Sequence, residues 1–289
     1  MFKNFEVIIA KNQSEIQKAI TSLKIDQPTA IVGFVPTMGA LHSGHMSLIN
    51  RAAKDCDIVV CSIFVNPTQF NNPEDLKTYP RTIAADQAML EKNQCDLLLL
   101  PDFEAVYPIG IPNYSINLEG LDESMEGAYR PGHFRGVCMV VERFFEMVRP
   151  NKAYFGNKDF QQLSIIRKMV AIRSIKIDIV GVHIERAESG LALSSRNALL
   201  SPSQLKEAAL IYRALKAGML RYSETNNVAA IRSAIEACFV NSSIEVEYIS
   251  FVDNDTLEEV KQINANSTVC IVAYCGSVRL IDNMQFSEA

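Results

Sequence analysis

Residues 30–45 read AIVGFVPTMGALHSGH, and residues 46–55 continue MSLINRAAKD. The run over 30–36 is almost wholly apolar, so it predicts a strand buried on both faces. Gly39 and Gly44 mark a turn, and the spacing over 47–55 predicts a helix. A strand without polar alternation belongs in a parallel sheet covered by helices on both sides. The pattern recurs outward from this unit. Residues 57–65 (DIVVCSIFV), 95–101 (CDLLLLP), 153–156 and 175–183 read as further strands. Residues 82–93, 134–148 and 159–173 have helical spacing, with Val137, Val140, Val141, Phe144, Phe145 and Val148 on one face of the second. Strands alternating with helices describe an α/β domain built on a doubly wound parallel sheet, in which ligands bind beyond the carboxyl ends of the strands.

The texture changes after residue 183. Ser201 is an expected N-cap with Pro202 at the first helical position. That helix is expected to run towards Arg221, followed by a helix over 228–240 and strands over 246–252, 268–274 and 277–281. The expected division is therefore 1–183 as the nucleotide- and substrate-binding domain and 184–289 as a smaller α+β domain. No repeat or low-complexity segment is visible.

The 289 residues are 48% hydrophobic and 21% charged, an ordinary globular composition. With 28 basic against 33 acidic residues, the net charge of −5 argues against a nucleic-acid partner. No apolar stretch approaches the ~20 residues of a membrane span, and residues 1–10 lack the pattern of a secretory leader. Cys56, Cys61, Cys95, Cys138, Cys238, Cys270 and Cys275 are odd in number, without a Cys-x-x-Cys. Buried free thiols in a reducing compartment suit them better than a disulfide framework, so the expected location is cytoplasmic.

The chemistry concentrates in 35–45. Two of the four histidines, His42 and His45, flank Ser43 and Gly44 where a strand hands over to a helix. Glycines there let a ligand approach the backbone, and a helix N-terminus offers amides to an anion. Neither a Walker loop nor a dinucleotide fingerprint is present. A plain turn with surface histidines and a zinc-binding His pair are the alternative readings. The Thr-x-Gly-x-x-His-x-Gly-His pattern resembles the signature of the HIGH superfamily of nucleotidyltransferases, in which imidazoles and amides stabilise charge building on an α-phosphate.

Five further stretches narrow the resemblance: 64–70 (FVNPTQF), 79–86 (YPRTIAAD), 129–136 (YRPGHFRG), 155–163 (FGNKDFQQL) and 190–197 (GLALSSRN). With the first motif, and with YISFVD at 248–253 and RLIDNMQF at 279–286, they closely resemble the pantoate–β-alanine ligase family over essentially the whole chain. The resemblance implies ATP-dependent condensation of (R)-pantoate with β-alanine through a pantoyl adenylate. It also implies a Rossmann-like first domain, a smaller domain closing over ATP, a homodimer and Mg²⁺.

Carried over residue by residue, it places ATP against Met38, Gly39, Ala40, Leu41, His42, Ser43, Gly44 and His45. Gly156, Asn157, Lys158 and Asp159 form a second ATP contact, and Glu185, Leu193, Ser194, Ser195 and Arg196 a third. His42, His45, Lys158 and Arg196 are the expected catalytic set. His45 matches the family's proton donor, although a carboxylate nucleophile needs no deprotonation at neutral pH. Gln69 and Gln162 match the pantoate-holding pair, and Gln69 would also reach β-alanine. Arg130 and His133 are expected on the pantoate side. Asp86 is a Mg²⁺ ligand or a solvated helix-face charge, and Asp159 a ribose partner or a helix N-cap. Asn157, Glu185 and Ser189 depart from the residues that the family pattern leads one to expect there.

Overall fold

The computed structural model describes residues 6–288; the first five residues of the stretch read for a leader lie outside them. Strands β1 (Ile8–Ala10), β2 (Val32–Thr37), β3 (Ile58–Ile63), β4 (Leu97–Leu99), β5 (Lys152–Gly156) and β6 (Asp178–Val182) form one parallel sheet in the order β1-β4-β3-β2-β5-β6. From β2 the chain steps one way to β3 and β4, and the other way to β5 and β6. The carboxyl ends of β2 and β5 are thus neighbours from which the following loops diverge, opening a crevice at the switch point.

The helices are α1 (Gln13–Leu23), α2 (Ser43–Asp55), α3 (Pro73–Thr78), α4 (Ile83–Lys92), α5 (Phe103–Val106), α6 (Met125–Tyr129), α7 (His133–Val148) and α8 (Phe160–Ile172). Successive strand residues take opposite faces. Phe34 joins the apolar cluster of α1, α7 and α8, whereas Val35 joins that of α2 and α4. This is the double coverage that the unbroken apolar run demands. The short β1 and α1 escaped the periodicity reading. Their signal was a cap: Asn12 accepts from the Glu15 amide while its own amide donates to the Glu15 carboxylate.

Beyond β6 come α9 (Pro202–Ala208), α10 (Leu210–Tyr222) and α11 (Val228–Ala237), then β7 (Ile244–Asp253), β8 (Ser267–Cys275) and β9 (Val278–Gln285) in a separate antiparallel sheet. Ser201 caps α9 as expected, reciprocated by Gln204. The single expected helix over 201–221 is interrupted at Ala209, where no glycine or proline announces it. β9 runs four residues past its expected end at 281, which makes Asp282 and Asn283 strand residues. The small sheet has its own apolar cluster with α10 and α11, while Val252 and Cys270 fall in the cluster that contains Met125 of α6. No helix among the described residues is long and apolar enough to cross a membrane.

Candidate active site

The turn after β2 is held from below. Gly39 and Ala40 both take left-handed backbone conformations, with φ of +83° and +50°. A Cβ on Gly39 would sit 3.1 Å from Asp86 Oδ2. The twist aims consecutive amides at that carboxylate: Ala40 N donates to Oδ2 at 3.0 Å, and Leu41 N to Oδ1 at 2.8 Å. The Thr82 hydroxyl adds a third donor at 2.9 Å. Asp86 is 1% exposed. It is therefore not a solvated helix-face charge, and that reading is corrected; both carboxylate oxygens are engaged by the turn and by Thr82.

α2 begins at Ser43, four residues before its expected start, because histidine does the capping. His42 Nδ1 accepts from the Gly44 amide at 3.1 Å, and His45 Nδ1 accepts from the His42 amide at 3.3 Å. An imidazole that accepts at Nδ1 while neutral carries its proton on Nε2. Both rings are neutral: burial, then the Lys158 charge, lowers His42 to about 4. Burial, then His42 and Lys158, lowers His45 to about 3. The ring centroids are 4.1 Å apart. The expected cradle of open helix amides is thus partly closed, since Gly44 N is capped and His45 N bonds His42 O. Imidazole Nε2–H groups are the donors left over. Among the described residues no cluster of three His, Cys, Asp or Glu could hold a metal ion, so the zinc reading has no third ligand.

The loop after β5 supplies Lys158, whose ammonium lies 3.3 Å from Asp159 Oδ1. Asp159 occupies the N-cap position of α8 but makes no capping hydrogen bond, so its cap alternative fails. The two glutamines that follow separate cleanly. Gln161 is buried and ties down 121–126 through Leu121 O, Ser124 O and Glu126 N, whereas Gln162 faces the crevice.

Gln69 lies in a short 3₁₀ turn, Pro67–Gln69, whose position depends on α7. A Cβ on Gly136 would meet Thr68 O at 2.4 Å, so only glycine allows this approach. The buried Asn66 amide then bridges Gly136 O and Gln69 Oε1, and the Gln69 amide donates to Met38 Sδ. His133, kept neutral by burial and Arg130 with its pKa down to about 4, donates from Nδ1 to Gln69 O at 2.7 Å. Its Nε2 accepts from Arg130, which also reaches Gln69 O. Both ring nitrogens of His133 are occupied, and through Nδ1 it holds the Gln69 main chain.

The 185–197 segment closes the crevice. Leu193 N donates to Glu185 O, Ser194 caps the 3₁₀ turn Ser195–Leu199, and Ser195 Oγ donates to Ala40 O at 3.1 Å. Arg196 pairs with Asp75 of α3 at 2.9 Å. A cavity of about 230 Å³ results, lined by Met38, Gly44, Gly156, Lys158, Asp159, Glu185 and Leu193 to Arg196, with His42, His45, Gln69 and Gln162. A second, of about 770 Å³, shares Lys158, Asp159, Gln162, Ser194 and Arg196 and also takes in Arg130 and His133. Gly39, Ala40, Leu41, Ser43, Asn157 and Asp86 line neither cavity and support those that do. The sequence reading missed Asn66, Tyr79, His183 and the apolar wall of Val137, Val140, Val141 and Phe144. Asn66 and Tyr79 stood inside motifs already singled out.

Comparison with known proteins identifies the family. A sequence model of the pantoate–β-alanine ligase family matches residues 8–285. The chain belongs to that family. Being a pantoate–β-alanine ligase, it is an enzyme, and its reaction joins pantoate to β-alanine. It is 40% identical to a pantothenate synthetase of Pseudothermotoga lettingae over 284 residues, 98% of this chain and 100% of that one. It is 46% identical to one from Porphyromonas gingivalis strain W83 over 261 residues, 89% and 92% of the two chains. The crystal structure of a Thermus thermophilus pantothenate synthetase superposes with a TM-score of 0.90 at 39% identity, covering 97% of this chain and 99% of that one. A Francisella tularensis pantoate–β-alanine ligase, complexed with β-γ ATP and β-alanine, gives a TM-score of 0.79 at 35% identity over 97% and 98%.

Proposed function

We propose that this ligase activates (R)-pantoate as an enzyme-bound pantoyl adenylate, releasing pyrophosphate, and then transfers the pantoyl group to β-alanine with release of AMP. The observation that carries this is the facing of two Nε2–H imidazoles, one ammonium and one guanidinium onto a cavity that also holds two glutamine amides. In the first step the pantoate carboxylate attacks the α-phosphorus, and charge grows on the equatorial oxygens. His42 and His45 meet that charge as neutral hydrogen-bond donors, Lys158 as a point charge, and Arg196 as a planar fork for the departing pyrophosphate. Gln69 and Gln162 hold the hydroxy acid, since an amide both donates and accepts. The Val137–Val140–Val141 wall suits the gem-dimethyl carbon of pantoate. Arg130 and His133 act through the Gln69 main chain. Met38, His42, Gly44 and His45, with Gly156, Lys158 and Asp159 and the ribbon carrying Glu185 and Leu193 to Arg196, surround the nucleotide; Gly39, Ala40, Leu41, Ser43 and Asn157 shape the loops that carry them, and 184–289 works as a lid over 1–183.

Asp86 does not fit as a Mg²⁺ ligand. The magnesium implied by the family resemblance would arrive on the phosphates of ATP, and no step here is assigned to it. All seven cysteines are unpaired, which suits a cytoplasmic setting. The exposed Ile109 and Ile111, in the segment that follows α5, suit a homodimer joined through the first unit.

The test is to incubate the protein with ATP, Mg²⁺ and (R)-pantoate, with and without β-alanine, following pyrophosphate and AMP. About one equivalent of pyrophosphate without β-alanine and sustained AMP release with it are expected. Folded, ATP-binding protein that releases no pyrophosphate with pantoate would overturn the reading.

A further inference from the structure

Two loops separated in sequence must keep a fixed spacing if a nucleotide is to lie between them: 156–159 after β5, and the ribbon of 185–193. Neither hydrogen-bonds the other directly. Strand β9 stands between them. Successive side chains on a strand point to opposite faces, so Asp282 and Asn283 reach different neighbours. The Asn283 side-chain amide donates to two consecutive carbonyls of the lysine loop, Asn157 O at 2.9 Å and Lys158 O at 2.8 Å. Asp282 takes a bidentate pair from Arg186, at 2.7 and 3.0 Å. Arg186 also donates to Gly190 O, closing the turn of the ribbon, and lies over the Tyr212 ring at 4.2 Å. Both strand residues are buried, at 4% exposure each. The main-chain amide of Asn283 also donates to Asp282 Oδ1, so the two grips are joined.

We infer that Asp282 and Asn283 are positioning residues for ATP: one strand of the small sheet sets the distance and tilt between the two nucleotide-facing loops. A buried, doubly bonded amide is an unusual device for merely ending a sheet. Two carbonyls side by side in a loop repel one another, and only a two-proton donor satisfies both. With those carbonyls held, the Lys158 side chain is directed into the cavity beside the imidazoles. This deepens the proposed reading of 156–159 as an ATP contact and rests on it.

The experiment measures steady-state constants for ATP, pantoate and β-alanine in Asn283→Ala, with Lys158→Ala as control. Asn283→Ala is expected to raise the ATP KM about tenfold, as the loss of two buried hydrogen bonds permits, with the other two KM values within about twofold. Asn283→Asp, read across pH, gives an independent signature. An ionised carboxylate repels the two carbonyls, whereas a protonated one returns a donor. Its ATP KM, relative to the parent protein, must therefore fall as pH falls. That readout remains available where Asn283→Ala does not fold. An unchanged ATP KM in a folded Asn283→Ala, or a pH-independent ratio for Asn283→Asp, overturns the inference. If Lys158→Ala also leaves the ATP KM unchanged, the ATP reading of the loop has failed as well; if Lys158→Ala raises it, only the role of β9 has failed.

Discussion

Asp86→Asn separates a carboxylate that shapes the β2 turn from one that binds metal. The substitution is nearly isosteric, yet the carboxylate is met by three donors, Ala40 N, Leu41 N and the Thr82 hydroxyl, and by no cation among the described residues. The amide oxygen can keep Leu41 N and Thr82, but the new NH₂ must then face the Ala40 amide, donor against donor. One charge-assisted bond is lost and one partly buried amide is stranded against the new NH₂, a cost of about 3 kcal/mol. At the usual entropy of unfolding per residue, that lowers the thermal midpoint of a chain this long by roughly 5 °C. The turn carrying His42 loosens with it, so the ATP KM should rise while the Mg²⁺ dependence at saturating ATP stays where it was. Calorimetry or thermal fluorescence gives the midpoint, and pyrophosphate release under Mg²⁺ titration gives the rest. A variant that melts with its parent yet needs several-fold more Mg²⁺ would falsify the positioning role and restore the metal ligand.

Neutral imidazoles imply an adenylation rate without a pH limb near 6.5 from His42 or His45, because they lose their protons at about 4 and about 3; a histidine-like limb between pH 6 and 7, abolished in His45→Gln, would show proton transfer instead. The buried His133, with its pKa down to about 4, contributes stability that is full above its unfolded value near 6.5 and declines as pH falls towards 4; His133→Gln should flatten that acid loss in urea titrations, and an unchanged slope would refute the linkage. Asp75→Asn frees Arg196 from a partly exposed ion pair at 2.9 Å, so ATP should bind roughly two- to fivefold more tightly, the range such pairs are worth; weaker binding by calorimetry would mean that Asp75 itself assists the nucleotide. Gly136→Ala drives a methyl to 2.4 Å from Thr68 O and should raise the pantoate KM more than the ATP KM; equal effects would show that the 66–69 turn does not report specifically on pantoate.

The parallel sheet was legible because its central strands are apolar without alternation, and that leaves one packing solution. β1 was not, since three residues at a sheet edge carry almost no periodic signal. The site motifs were legible as residue types at strand ends, where an α/β topology puts ligands. Their internal division of labour was not. Gln161 and Gln162 are identical in sequence terms, and only the rotation of α8 sends one into 121–126 and the other into the crevice. Asp86 looked like a helix-face acid because α4 has weak periodicity, and two of its three partners lie 45 and 46 residues away. Histidine is an infrequent N-cap, so a helix starting at Ser43 could not be read from propensity. It required knowing that His42 and His45 satisfy each other's termini.

At rest, each cation facing these cavities is paired with a carboxylate: Lys158 with Asp159 at 3.3 Å, Arg196 with Asp75 at 2.9 Å, Arg130 with Glu126 at 3.7 Å, and Arg279 with Glu126 and Glu247. The site is therefore not an open positive well in an acidic protein, which would attract any anion. On the proposed reading, a triphosphate must displace Asp75 from Arg196 and compete with Asp159 for Lys158, and it succeeds only by meeting both at once. A single phosphate or carboxylate gains one contact while leaving a displaced acid without its partner. Selection for a long polyanion then follows from the spacing between α3, the lysine loop and the Ser195–Leu199 turn, so changes that shift these elements apart should weaken ATP more than they weaken inorganic phosphate.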